Sequence, residues 1–100
     1  MESELDDQSD NDLSGACLEG VGLSRSFIDA CFKGANLRGA RFREANVKCC
    51  DFRGADLRDA DFRGAALCAT QFGGSRLDGA KFGAAYYHSH ILQEDEKPDW

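Results

Sequence analysis

Proline is almost missing from this chain, one residue in 100, and no apolar run is long enough to cross a bilayer as a helix. The opening residues, Met1-Glu2-Ser3-Glu4-Leu5-Asp6-Asp7, lack the basic and apolar regions of a signal peptide. No membrane association and a cytoplasmic location are the expectations that follow. No CxxC pair occurs among Cys17, Cys31, Cys49, Cys50 and Cys68, so a zinc or redox motif has little support. Free thiols in a reducing compartment are the simpler reading, with the vicinal pair Cys49 and Cys50 as the one candidate reactive thiol.

Catalytic signatures are just as scarce. Histidine occurs only at His88 and His90, so no Ser, His and Asp set can be assembled along the chain. The HxH pair these two make is a weak metal signal, and a solvated tail explains it. Neither GxGxxG nor GK(S/T) appears. The expectation is a protein that is not an enzyme, with no cofactor and no bound metal.

Charge is present but unevenly spread. The net charge of −6 divides into −6 over residues 1–26, +3 over residues 27–87 and −3 over residues 88–100. The pattern is a mildly basic body between two acidic tails. Residues 1–11 hold almost no large apolar group and read as a disordered acidic tail.

The body carries a repeat of five. A large apolar residue recurs without a miss at Phe27, Phe32, Leu37, Phe42, Val47, Phe52, Leu57, Phe62, Leu67, Phe72, Leu77, Phe82 and Tyr87. Two positions before each centre from Phe32 onward stands a small residue, mostly Ala; one before is mostly polar; two after is often Gly. "ANLRG" at 35–39 and "ADLRD" at 55–59 are near-ideal copies. In an α-helix five residues rotate by about 500°, so the centres would form no stripe. In a strand they would alternate between faces and leave the small-residue column without a purpose. A short fixed period instead signals a stacked coil in which neighbouring turns bury each other's centres.

On these residues the chain resembles the pentapeptide-repeat proteins over about three quarters of its length. The resemblance implies an all-β, right-handed quadrilateral parallel β-helix, about three to four coils deep, spanning residues 12–89. Its centre and the small residue two before it point inward; the other three face solvent. Four units per coil would sort the core into columns: Phe32, Phe52 and Phe72; Leu37, Leu57 and Leu77; Phe42, Phe62 and Phe82; and Phe27, Val47, Leu67 and Tyr87. Leu13, Leu18 and Leu23 keep the spacing, but only four residues separate Leu23 from Phe27. This reads as a further coil joined with a one-residue deletion near Ser24, Arg25 and Ser26, or else as an irregular cap. Residues 90–100 form an acidic tail or cap, in which Ile91, Leu92 and Trp100 would cover the last coil or a partner's. A homodimer through the coil ends is the alternative to a cap in cis.

The residue after each centre is basic seven times running: Lys33, Arg38, Arg43, Lys48, Arg53, Arg58 and Arg63, with Arg25 and Arg41 in the same half. Two readings stand. In one, these cations form a solvated surface, pairing with Asp51, Asp56, Asp59 and Asp61 on adjacent coils. In the other, Arg38, Arg43, Arg53, Arg58 and Arg63 bind an acidic partner, another protein by expectation, with nucleic-acid phosphate as the unsupported alternative. No aromatic residue interleaves with these bases, so stacking on single-stranded nucleic acid has no support. Aspartates five residues apart would occupy successive faces and not converge on one site. The function expected is therefore a rigid, non-catalytic scaffold or binding module. The resembled family also implies an alternative, regulation of a nucleic-acid enzyme such as DNA gyrase by a rod that imitates DNA. That reading asks for a negative rod, which this basic body departs from.

Overall fold

A computed structural model describes residues 12–87, 90–93 and 97. The expectations for residues 1–11, for His88, and for Trp100 lie outside the described residues.

The chain forms a right-handed quadrilateral β-helix, and the reason lies in the turn that ends each unit. Two residues after every centre from Leu13 to Phe82, apart from Leu23, the backbone has positive φ. Glycine fills most of these positions, for example Gly54 at φ 72 and Gly74 at φ 72. Positive φ at the third residue of a four-residue turn is the mark of a type II β-turn. The closing bond is present in unit after unit, as where the Ala35 N–H donates to the Phe32 carbonyl at 3.0 Å. Each turn rotates the chain by one face, and four bring it back over itself.

Coils are held together by the residue before each centre. Cys31 bridges to Asp51 and Asp51 to Gln71, Asn36 to Asp56 and Asp56 to Arg76, all in parallel and all twenty residues apart. These rungs are single-residue bridges, not long strands, because only one residue per unit lies between successive turns. Register differs in the first coil, where Asp12 bridges to Cys31, Cys17 to Asn36 and Gly22 to Arg41, each nineteen apart. Ser26 to Asn46 restores twenty. The missing residue falls at Leu23–Arg25, where the Arg25 N–H donates to the Leu23 carbonyl at 2.8 Å and closes a three-residue turn. Residues 12–25 are thus a true coil on three faces, and every face is four bridged layers deep.

The interior follows the columns. Phe32 stacks on Phe52 with ring centroids 4.8 Å apart and planes 3° from parallel, and Phe42 on Phe62 at 4.6 Å and 1°. Across the core the two stacks meet edge to face, Phe52 against Phe62 at 5.6 Å and 87°. Both geometries suit the ring quadrupole and add about 0.5–1.5 kcal/mol per pair beyond burial. Ala between centres leaves the space these rings fill. Where Cys50 and Thr70 replace it, the buried thiol donates to the Phe27 carbonyl and the hydroxyl to the Val47 carbonyl. Neither polar atom is stranded.

The C-terminal end closes with a different device. Strand β1 (Tyr86–Tyr87) pairs antiparallel with β2 (His90–Ile91), Tyr86 opposite Ile91. Beyond it the Leu92 N–H donates to the Ala85 carbonyl, and the Leu92 carbonyl accepts from the Ala84 N–H, each at 2.8 Å. The chain doubles back along the last coil and sinks Leu92 into the core, while Ile91 stays 50% exposed. Among the described residues no helix is long and apolar enough to cross a membrane.

Candidate functional site

Centres point inward, so the residues on either side of a centre point outward together from the same face. That geometry decides where the basic residues find partners. Arg53 places Nε 2.9 Å and its terminal nitrogen 2.7 Å from the two carboxylate oxygens of Asp51. Arg58 grips Asp56 at 2.9 and 2.7 Å, and Arg63 grips Asp61 at 2.9 and 2.8 Å, in the same fork. The pairs form within a unit, two residues apart, and not between adjacent coils as expected from sequence. The fork also takes in the backbone, since each Arg N–H donates to the same Asp Oδ1. The Arg side chains hold all three carboxyls below the usual carboxylate range, Asp56 at about 2.

The pairing depends on what precedes the centre. Before Leu37 it is Asn36, before Phe42 it is Arg41, and neither offers a carboxylate. Arg38 and Arg43 accordingly form no ion pair among the described residues. Arg41 reaches back over the first coil, where one guanidinium nitrogen donates to the Gly20 carbonyl at 3.2 Å. Gly22 makes room for it: a Cβ there would stand 3.1 Å from the guanidinium. Arg25 lies over the Phe27 ring, 4.9 Å from its centroid, and covers the edge left by the short first coil.

The structure does not bring the five predicted arginines to one surface. The first face, that of Phe32 and Phe52, carries Arg53; the second, that of Leu37 and Leu57, carries Arg38 and Arg58; the third, that of Phe42 and Phe62, carries Arg43 and Arg63. Charge summed by face is uneven. On the third face and its corner, among the described residues, Arg25, Arg41, Arg43, Arg63 and Lys81 stand against Glu44 and Asp61. The first and fourth faces balance, and the second has one more acid than base. The cationic surface is therefore one side of the rod. Sequence reading undervalued Arg41 and missed Lys81, because both take the position before a centre, where Asp or Asn is usual. The signal was present: summing charge at twenty-residue spacing, with the first coil shifted by one, isolates this face.

At its C-terminal end the third face opens into a groove of about 500 Å³. Arg43 and Arg63 line it together with Gly83, Ala84, Ile91 and Leu92. The thiols offer less. Burial pushes the Cys50 thiol up to about 12, so the Cys49–Cys50 pair is not activated at Cys50. No group of three or more His, Cys, Asp or Glu placed to hold a metal occurs among the described residues.

A rod of four-sided coils with one charged side defines a solenoid protein that presents surfaces and not an enclosed pocket. The model for pentapeptide repeats matches residues 26–59 and 48–83 in eight copies, and the chain belongs to this family. It is similar to alr5209, a pentapeptide repeat protein from Nostoc Pcc 7120, with 29% identity and a TM-score of 0.54, covering 87% of this chain and 78% of that one. It is also similar to Rfr23, a pentapeptide repeat protein from the cyanobacterium Cyanothece 51142, with 30% identity and a TM-score of 0.46, over 76% of this chain and about half (53%) of that one. QnrB1, a plasmid-mediated fluoroquinolone resistance protein, matches with 22% identity and a TM-score of 0.39, over 78% of this chain and 58% of that one. No curated protein matches.

Proposed function

We propose that this protein is a non-catalytic binding module that engages an acidic protein surface through its third face. The observation that carries this is the local excess of cations there, with Arg43 lacking a carboxylate partner among the described residues. A guanidinium without a carboxylate partner costs little to dock, since its backbone is already fixed in the coil. A protein partner is favoured over nucleic acid because the whole-chain charge of −6 opposes an extended polyanion more than an acidic patch confined to the size of one face. Imitation of DNA needs a negative rod, and the coiled body is not one. The thiols, none in a disulfide, suit a reducing compartment, in keeping with a cytoplasmic site of action.

The test compares two double variants in capture from native cytosol. Arg41→Ser with Arg43→Ser removes charge from the third face; Arg53→Ser with Arg58→Ser removes as much from the first and second. The first pair is expected to release the partner and the second to retain it, with retention falling as salt rises. Equal retention by both, or duplex DNA as the captured species, overturns the reading.

A further inference from the structure

We infer that the groove at the C-terminal end of the third face seats one aliphatic side chain of an acidic peptide segment, so that the partner is read as carboxylates flanking an apolar residue. This rests on the acidic-partner reading above and narrows it. The column of residues after the third-face centres runs Arg43, Arg63, Gly83. The third rung has no side chain, and the gap it leaves is bordered by the hairpin's Ile91 and by Ala84. Ile91 is half exposed while its neighbour Leu92 is buried, so the hairpin spends one apolar side chain on the core and shows the other to the groove. Arginine and aliphatic side chains thus line the same groove.

Charge sets the order of residues in the occupant. Arg43 lines the groove and offers donors to a carboxylate there. Glu44 lies at its rim, with its Cγ 3.1 Å from where a Cβ on Gly64 would be, and disfavours a carboxylate directly above it. The residue of the partner that enters at Gly64 and Gly83 is therefore uncharged, and Ile91 makes an aliphatic one the best fit. The groove's volume of about 500 Å³ leaves room for an aliphatic side chain together with the peptide backbone that carries it, but not for a folded element.

The experiment uses fluorescence anisotropy with the full chain at low salt and three labelled probes: the peptide Glu-Asp-Glu-Leu-Glu-Asp, the same peptide with Ser for Leu, and a duplex DNA. The Leu peptide is expected to bind about fivefold tighter than the Ser peptide, the gain from partly burying one aliphatic side chain. Ile91→Ser is expected to erase that difference, Ile91→Leu to keep it, and Arg43→Ser to weaken both peptides. If both peptides bind equally and still depend on Arg43, the groove assignment is overturned while the cationic face stands. If neither peptide binds, or the duplex binds tighter than both, the acidic-partner reading falls as well.

Discussion

At the scale of single residues, the turn torsion is the strictest demand this fold makes. The chain meets it with glycine at Gly54, where φ is 72, but at Ala69 and Ala84 it accepts an L-residue at φ 62 and 63. Opposite substitutions separate torsional strain from packing. At Gly54 an added Cβ would meet nothing nearer than the Gly34 nitrogen at 3.9 Å, an ordinary contact. Gly54→Ala is therefore expected to destabilise by about 1–2 kcal/mol through φ alone. Ala69→Gly relieves similar strain but gives the unfolded chain more freedom, worth about 0.4–1 kcal/mol, so a smaller gain in stability is expected. Urea unfolding of both variants checks this. A neutral Gly54→Ala would mean that these corners do not need the left-handed conformation.

At the scale of the repeat unit, the Asp–Arg fork ties side chain to fold. A carboxyl whose folded pKa lies below its unfolded value near 3.8 contributes stability that is present above that value. The contribution is lost as pH falls through the folded value, about 2 for Asp56. Denaturation midpoints are expected to hold steady down to about pH 5 and then fall towards about pH 2. The variant with Asp51, Asp56 and Asp61 all changed to Asn is expected to show a flatter acid limb. Asn is tolerated in this place, since Asn36 and Asn46 already occupy it. An identical acid limb in both proteins would assign acid sensitivity elsewhere. The unit was also the scale at which sequence spoke most clearly. The thirteen centres, the small column and the four stacks are where the five-residue period puts them, because an inward side chain has no other place to go. The ion pairs were misassigned because outward residues have a choice, and the neighbour two residues away in the same unit is nearer than the next coil. The hairpin was not legible: two strands of two residues have no period to read.

At the scale of the whole molecule, charge and topology pull in opposite directions. The coiled body carries a small positive excess, yet the chain is −6 overall because acids gather towards its ends. The C-terminal group matters most for the third face. Gln93 lines the groove beside Arg43 and Arg63, and Glu94, Asp95 and Glu96 follow it directly in sequence. Three carboxylates tethered this close have an effective concentration far above that of any free partner. They would compete for the same cations, and more strongly at low salt. Changing Glu94 and Glu96 to Gln and Asp95 to Asn removes the three charges and keeps the side-chain shapes. This variant is expected to bind the Leu-containing acidic peptide several-fold more tightly than the parent at low salt, with the gap closing as salt rises. Calorimetric titration at two salt concentrations measures it. Equal affinity at low salt would show that the acidic run keeps clear of the third face, and that the partner meets those arginines without having to displace anything.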